Sequence, residues 1–239
     1  MREILHRAGD IVFTKLDGSN VEAFKQFYTA RLKDENQSLY LDYETLEKTI
    51  DDDLSNGSVT FMAYKDDRII GSLKCLDNPA DTLKRSGMWN VDLSRLRQYG
   101  GLCYMGRYGI DKSYITEPAV NQGLFLLAIM HSVQNDNFFL MTEAVPKQVR
   151  TYRRLGFHPV LSGEKPYVWL EVAELCPMIN NIIHFAASIN DDDRGMRVHE
   201  LFSDEIRNKI ATLSTNKELM NLHHDSLVEY IHEDVAILP

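Results

Sequence analysis

The stretch that decides the fold begins with Gly-Leu-Cys-Tyr-Met-Gly-Arg-Tyr-Gly-Ile-Asp (101–111) and ends with Tyr-Arg-Arg-Leu-Gly-Phe-His-Pro (152–159). Between these segments, Pro and Gly mark a turn, an apolar run predicts a helix at 123–134, and a second strand is expected at 138–142. The first strand, at 102–110, is therefore followed by a helix, a strand and another helix. This alternation predicts a mixed α/β sheet.

Outward from this stretch, the same periodicities predict further elements. Ser19-Asn20 caps a helix whose apolar residues, from Val21 to Tyr28, recur at helical spacing. Lys65-Asp66-Asp67 joins two strands with a loop that suits a hairpin. The remaining strands are expected at 11–14, 59–64, 68–75 and, as paired edges, at 158–161 and 167–172, and the remaining helices at 41–54 and 147–155.

The character of the chain changes after Pro177. Helices are expected at 180–189, 203–213 and 216–231, the last one opened by a Thr215-x-x-Glu218 capping box. We therefore expect a catalytic domain at 1–175 and a helical carboxyl-terminal extension at 176–239.

Composition excludes several classes of function. The 239 residues carry 35 acidic and 26 basic side chains, a net charge of −9 that argues against nonspecific binding to nucleic acid. No apolar run is long enough to span a membrane, and charges replace the apolar core of a signal peptide, so we expect a cytoplasmic protein. The three cysteines and eight histidines lack metal-ligand spacing, which predicts no metal site. The oligomeric state stays open.

Two glycines interrupt the strand at 102–110. Gly106 and Gly109 flank Arg107-Tyr108, and glycine inside a strand often marks a bulge or the close approach of a ligand. Backbone groups of Tyr108, Gly109 and Ile110 are therefore candidates for binding a cofactor. Small residues under a bulky neighbour would give the same pattern.

The turn before the apolar helix is a candidate anion site. Amides at a helix start bind anions with the help of the helix dipole. Asn121 and Gly123 tolerate left-handed backbone conformations, so amides of Asn121, Gln122 and Gly123 could converge on a phosphate. An ordinary helix start after Pro118 is the alternative.

Tyr152 is a candidate proton donor. A phenol has an unperturbed pKa near 10, close to that of a small thiol, so it can protonate a departing thiolate at little cost. A core tyrosine with a satisfied hydroxyl is the alternative.

Together, these features resemble the GNAT superfamily of N-acyltransferases over roughly residues 10 to 172. Tyr152-Arg-Arg-Leu-Gly-Phe157 matches the family motif in which the tyrosine is the general acid. Of the family's phosphate-loop pattern, the segment 118–123 keeps only the last glycine. The resemblance implies a mainly antiparallel central sheet flanked by helices, and acyl-CoA as co-substrate.

A narrower similarity links residues 106–112, together with the Leu-Phe segment after Gly123, to acyl-homoserine lactone synthases and N-acyl amino acid synthases. These enzymes take acyl chains from acyl carrier protein, which implies acyl-phosphopantetheine as an alternative co-substrate. Arg107 matches their strand arginine, and with Tyr104 it is assigned to substrate binding. Tyr104 stands where these enzymes have a glutamate, so Glu143 is proposed as the replacement base. A carboxylate facing solvent is the alternative.

Three cations could form a docking surface. Lys147, Arg150 and Arg154 fall on one face of the predicted helix, in a chain that is otherwise acidic. Because acyl carrier proteins are acidic, we expect this basic patch to speed their association. A solvated helix face would have the same sequence.

The expected function is transfer of an acyl group from a phosphopantetheine thioester, on acyl-CoA or acyl carrier protein, to a small-molecule amine. N-acyl amino acid synthesis is one form of this reaction. The acceptor stays open among an amino acid, S-adenosylmethionine, a polyamine and a protein amino terminus. The alternative is a GNAT-fold binding or regulatory protein without turnover.

Overall fold

The computed structural model describes residues 3–34, 48–52, 57–77, 89, 91–161, 168–170, 173–188 and 202–232. The chain divides into two compact units. The first consists of Met1–Leu76 and Met105–Ile129, and the second of Asp77–Tyr104 and Met130–Pro239. This division differs from the one predicted at residue 175.

The first unit begins with an antiparallel sheet. Its strands are β1 (Ile4–Ala8), β2 (Ile11–Lys15), β3 (Val59–Lys65) and β4 (Arg68–Leu76), each paired with the next along the chain. The β3–β4 connection is the predicted hairpin: Asp66 and Asp67 have φ values of 48° and 60°, as a two-residue type I′ turn requires. The strand β1 was not predicted.

Helix α1 (Val21–Asp34) covers this sheet. Asn20 fixes its start, because its Oδ1 accepts from the Asp17 amide at 2.9 Å and its Nδ2 donates to the Lys15 carbonyl at 3.1 Å. Phe24, on the predicted apolar face, is fully buried in a cluster with Met62. Of the helix predicted at 41–54, residues 48–52 are helical and the rest lies outside the described residues.

Strand β5 (Gly101–Ile110) and helix α2 (Pro118–Gln134) run from one unit into the other. In the first unit the strand order is β1-β2-β3-β4-β5. A short 3-10 turn, Lys112–Tyr114, connects β5 to α2. Helix α2 begins five residues before the predicted start at 123.

The second unit is built on strand β6 (Asn137–Ala144). This strand pairs in parallel with β5, Gly101–Tyr104 facing Asn137–Met141, and antiparallel with β9 (Ala173–Asn181). The short strands β7 (His158–Pro159) and β8 (Val168–Leu170) both pair with β9.

Helices complete the second unit. The structure contains α3 (Val149–Arg154), α4 (Ile182–Ser188), α5 (Asp204–Leu213), α6 (Lys217–Asn221) and α7 (His224–His232), and 3-10 turns at Ser94–Gln98 and Pro146–Gln148.

The main correction concerns β9. The predicted domain boundary at 175/176 falls inside this strand, and the predicted edges at 158–161 and 167–172 each pair with β9 rather than with each other. Residues 176–181 are all buried, so the strand lacks the alternation that marks a half-exposed one.

The predicted helix at 216–231 is also corrected. It is two helices, α6 and α7, and His224, the first residue of α7, has a left-handed φ of 51°. The cap of α6 is Asn216, whose Oδ1 accepts from the Glu218 and Leu219 amides, and not Thr215, whose hydroxyl donates to the Thr212 carbonyl.

Candidate active site

Glu143, near the end of β6, is held by two hydrogen bonds in the second unit. The indole Nε1 of Trp89 donates to its Oε1 at 2.8 Å, and the hydroxyl of Tyr104 donates to its Oε2 at 2.8 Å. The parallel register explains the second contact: Tyr104 lies opposite Met141, and Glu143 is two residues farther along the same face. The two donors fix the orientation of the carboxylate.

This arrangement concerns two expectations from the sequence: whether Glu143 faces solvent, and what Tyr104 does in the position of the family's glutamate. Glu143 is half-buried rather than facing solvent, and Tyr104, in the position of the missing glutamate, touches it. A carboxylate offers about four acceptor sites, more than these two donors use. Trp89 is separated from Glu143 by 54 residues and is 1% exposed, and no local pattern in the sequence marks it as part of the site.

Tyr152 lies on the short helix α3 and is 3% exposed. Its ring meets Phe157 edge to face, with centroids 5.5 Å apart. Its carbonyl accepts from the amides of Leu155 at 3.0 Å and Phe157 at 3.1 Å, which closes the helix. The ring and carbonyl of Tyr152 therefore take part in packing and in ending the helix.

Gly156 explains part of the Tyr-x-x-Leu-Gly-Phe motif. Its φ is +84°, a left-handed conformation that suits glycine at a helix end. A Cβ at this position would come within 2.6 Å of the Phe185 ring. The neighbouring Leu155 carbonyl accepts from Asn180 Nδ2 at 2.9 Å. The glycine is required both by backbone conformation and by space.

In the first unit, the irregularity in β5 lies at Arg107. Its φ is +46°, whereas neither Gly106 nor Gly109 has a left-handed conformation, so the residue between the predicted glycines carries the distortion. Ser72 Oγ donates to the Arg107 carbonyl at 2.8 Å. The guanidinium donates to Thr49 Oγ1 at 3.1 Å and lies 5.4 Å from the centroid of the Tyr28 ring.

Tyr108 connects β5 with helix α2. Its hydroxyl donates to Asn121 Oδ1. Burial raises the pKa of the Tyr108 phenol well above its ordinary value. Gly109 and Ile110 are buried, and a Cβ on Gly109 would meet only ordinary contacts, at 3.9 Å or more.

The predicted phosphate turn is the first part of helix α2. Asn121, Gln122 and Gly123 are helical, so the expected left-handed, converging amides are wrong. A Cβ on Gly123 would come within 2.2 Å of the buried Phe13 ring, so this glycine allows the helix to pack closely on the sheet. Pro118, the first residue of the helix, has no amide to offer an anion.

The basic patch is exposed, as predicted. Arg150 and Arg154 are one helical turn apart on α3, whereas Lys147 lies in the preceding 3-10 turn instead of the same helix. Its function in docking stays a prediction.

Three further expectations concern metals, thiols and membranes. Within the described ranges, no group of three or more His, Cys, Asp or Glu side chains is placed to hold a metal ion. Cys75, Cys103 and Cys176 are buried and form no disulfide. No helix among the described residues has the length and apolar character needed to cross a membrane. The cytoplasmic location stays a prediction.

Solved structures of other proteins share this fold. The chain resembles an acyl-CoA N-acyltransferase from Pseudomonas aeruginosa (16% identity, TM-score 0.50, covering 71% of this chain and 99% of that one). It also resembles RimL, a ribosomal L7/L12 alpha-N-protein acetyltransferase solved with coenzyme A (14%, TM-score 0.53, covering 75% and 98%). The fold is that of the GNAT acyltransferases, with a mixed, mainly antiparallel sheet.

The family is narrower than the fold. Residues 37–180, more than half of the chain, match the family model described as N-acyl amino acid synthase FeeM, and the chain belongs to that family. The structure of FeeM itself, from uncultured soil microbes, is similar over 74% of this chain and 93% of that one, at 13% identity and a TM-score of 0.56. No curated protein matches this chain in sequence.

Proposed function

We propose that this GNAT acyltransferase makes an N-acyl amino acid from a phosphopantetheine thioester and an amino acid. The observation that carries the proposal is the Trp89–Glu143–Tyr104 hydrogen-bond set, in a chain of the FeeM family. A carboxylate fixed by two neutral donors is suited to take a proton from an amine, because its orientation is set before the substrate arrives.

Glu143 is the proposed general base. The amine nitrogen attacks the thioester carbonyl carbon, a carbon–nitrogen bond forms, and Glu143 receives the proton that the nitrogen loses, directly or through a water. Tyr104 supports this step by holding Oε2, and Trp89 by holding Oε1. Tyr104 thus has a positioning function in addition to the substrate contact predicted from the sequence.

Tyr152 is the proposed general acid. When the tetrahedral intermediate collapses, the carbon–sulfur bond breaks and the sulfur receives the phenolic proton of Tyr152. The proton held by Glu143 then restores the phenol through solvent. The net products are an amide and a free thiol, so no oxidant or metal is needed. The place of Tyr152 in the Tyr-x-x-Leu-Gly-Phe motif supports this assignment.

The pantetheine arm is proposed to bind along β5. The left-handed φ of Arg107, beside Tyr108, Gly109 and Ile110, supports a role for their backbone groups in binding it, because irregular strands often lie next to ligand sites. The start of α2 has no left-handed turn whose amides converge on a pyrophosphate. Because Pro118 removes one amide, we propose acyl carrier protein, which offers a single phosphate, as the preferred donor, and the basic patch as its docking surface.

Two observations favour a second candidate, a GNAT-fold binding protein without turnover. Tyr104 replaces the strand glutamate of the acyl-homoserine lactone synthases, and Gly123 serves packing against Phe13. This candidate predicts binding of the donor without release of thiol.

The test is a thiol-release assay with acyl-CoA and acyl carrier protein donors of increasing chain length, each with a panel of amino acids, polyamines and S-adenosylmethionine. Turnover with one class of amine supports the synthase. Donor binding without thiol release, for every amine, supports the second candidate. Native mass spectrometry of the purified protein adds an independent measurement, because a bound pantetheine species or N-acyl product identifies the donor.

A further inference from the structure

The second unit contains a cavity of about 420 Å³ that the acyl-transfer proposal does not use. Four imidazoles and two guanidiniums line it, and we call it the histidine pocket. Its side chains come from α3, β7, β9, α4 and α7. The lining residues central to its chemistry are Arg153, Arg154, His158, His184, His223 and His224.

The four imidazoles are in contact with one another. The rings of His184 and His223 stack with centroids 4.0 Å apart, and those of His158 and His224 meet edge to face at 4.1 Å. His223 and His224 are 5.0 Å apart, which joins the two pairs. His158, His184 and the adjacent pair His223-His224 are distant from one another in sequence, and β7, α4 and the start of α7 bring them together.

The backbone that forms the pocket is well fixed. Asn181 Nδ2 donates to the carbonyls of Leu219 at 2.7 Å and Leu222 at 3.0 Å, and its Oδ1 accepts from the His184 amide at 3.1 Å. This side chain therefore ties β9 to α4 and to the turn before α7. The cavity is built into the fold and does not depend on an exposed loop.

The lining is positive or neutral in charge. Among the residues that the structure describes, no acidic side chain lines the cavity, and Asp225, beside His224 at the start of α7, acts on His158 from outside the lining. The first amides of the nine-residue helix α7 add to the positive potential, because a helix amino terminus attracts anions.

Two ring nitrogens of the pocket lack a partner. Nε2 of His158 and Nδ1 of His223 are buried, and neither has a hydrogen-bond partner among the described residues. A buried polar atom without a partner costs free energy, so such atoms often mark the place of a ligand.

The pKa values of two pocket histidines also favour an anion as the ligand. Burial, followed by the nearby His224 and Arg153, lowers the pKa of His158 to about 4, with smaller effects of Asp225 and His223. Burial and then His223 and His224 lower the pKa of His184 to about 4. The imidazoles of His158 and His184 are therefore neutral near pH 7, and an anion placed beside them would favour their protonation.

We propose that the histidine pocket binds a phosphate-type oxyanion, as the free ion or as a phosphate monoester. Two guanidiniums, four imidazoles and the helix start present more donors than the two oxygens of one carboxylate accept, whereas a phosphate or sulfate offers three or four oxygens. The volume leaves space for an organic group beside the anion. The site goes beyond the proposed acyl transfer and shares with it only Arg154, a residue of the basic patch.

Sulfate is the first probe, because it keeps both charges at neutral and mildly acidic pH, so any pH dependence of binding comes from the protein. We expect isothermal titration calorimetry of the full chain to show sulfate binding that tightens as the pH falls. Each proton taken up on binding strengthens the affinity by up to about tenfold per pH unit. We expect His158 and His184, whose pKa values are lowered by burial, to take up these protons. Arg153, Arg154, His223 and His224 also face the cavity, and Asp225 lies just outside its lining.

Two variants of α3 provide a matched test. Arg153→Gln removes a cation from the lining and should weaken sulfate binding by about tenfold or more, the size of one charge-assisted hydrogen bond. Arg150→Gln removes an exposed cation of the same helix outside the lining and should change the affinity by less than about twofold. Thermal unfolding of both variants confirms that each is folded, as expected for exposed positions.

The proposal would be overturned if neither sulfate nor inorganic phosphate binds at about 50 mM. It would also be overturned if Arg153→Gln and Arg150→Gln weaken sulfate binding equally, or if the affinity for sulfate does not change with pH. Tighter binding of malonate than of phosphate and sulfate would also overturn it, in favour of a dicarboxylate. Tighter binding of glycerol phosphate than of inorganic phosphate would support the monoester as the occupant, and equal affinities would support the free ion.

Discussion

The replacement Glu143→Gln tests the catalytic assignment most specifically. It keeps the shape of the side chain and removes the ability to accept a proton from the substrate. The indole Nε1 of Trp89 can only donate, so the new amide must turn its oxygen toward Trp89 and its NH₂ group toward Tyr104. The Tyr104 hydroxyl must then accept a hydrogen bond instead of donating one.

The replacement should lower both turnover and the free energy of unfolding. Loss of a general base lowers turnover by about 10²- to 10⁴-fold. Two charge-assisted hydrogen bonds become neutral ones, and the Tyr104 hydroxyl reverses its direction, so the free energy of unfolding should fall by only about 1–2 kcal/mol. The variant should therefore be folded and inactive, with donor affinity close to that of the original chain.

The assay is steady-state thiol release with the preferred donor and amine, together with urea unfolding of the same sample. Tyr104→Phe is the matched control, because it removes one of the two donors and leaves the carboxylate. It should cost about 1 kcal/mol of stability and less than about tenfold in turnover. If Glu143→Gln is folded and turns over within about twofold of the original chain, Glu143 is not the base.

The other predictions concern the acid, the helix end, the donor and the histidine pocket. Tyr152→Phe should lower turnover by about 10²-fold or more while the donor still binds, as measured by thiol release and calorimetry; full activity would assign the acid elsewhere. Gly156→Ala should lower the free energy of unfolding by about 2–4 kcal/mol, because φ is +84° and the new Cβ meets the Phe185 ring at 2.6 Å; urea unfolding measures this, and a cost under about 0.5 kcal/mol would contradict the packing described. The double variant Lys147→Glu/Arg150→Glu should raise KM for acyl carrier protein donors by about tenfold and leave KM for acyl-CoA unchanged; equal effects on both donors would remove the docking assignment. Without an oxyanion, the unfolded chain binds more protons than the native one between about pH 6.5 and about pH 4, since the pKa values of His158 and His184 are lowered to about 4 on folding; stability should therefore fall as the pH is lowered through this window, and the fall should be smaller in His158→Gln.

The sequence was sufficient for features that depend on local geometry. The Asp66-Asp67 hairpin, the amphipathic helix after Asn20 and the Leu-Gly-Phe helix end each follow from the conformations that a few neighbouring residues prefer. The family resemblance was also local, because it rests on motifs of six or seven consecutive residues. These predictions were confirmed by the backbone and by the family match.

The features that were missed depend on tertiary contacts. Strand β9 is buried on both faces and contains Pro177, so its pattern resembles neither a half-exposed strand nor a regular helix. Gly123 was assigned to a phosphate turn, yet its lack of a side chain is explained by the Phe13 ring, more than 100 residues away in sequence. A short motif cannot distinguish a glycine that admits a ligand from one that admits a neighbouring ring.

The candidate site shows the same limit. Tyr152 could be proposed as the acid because it belongs to a motif, and Glu143 as the base because it follows a predicted strand. Trp89 was missed because it lies in a long connection without periodicity. Its hydrogen bond to Glu143 joins residues that are 54 positions apart, so no local pattern indicates it. The histidine pocket was missed because its rings, at positions 158, 184, 223 and 224, share no spacing.

The most direct test of the proposed synthase uses an acyl carrier protein donor whose acyl carbonyl is labelled with ¹³C, mixed with the protein and an equimolar set of amino acids. Mass spectrometry should then detect a labelled N-acyl amino acid that accumulates in proportion to the protein and is absent with the Glu143→Gln/Tyr152→Phe variant. Label that appears only in free fatty acid, or stays entirely on the donor while the folded protein binds it, would contradict acyl transfer to an amine.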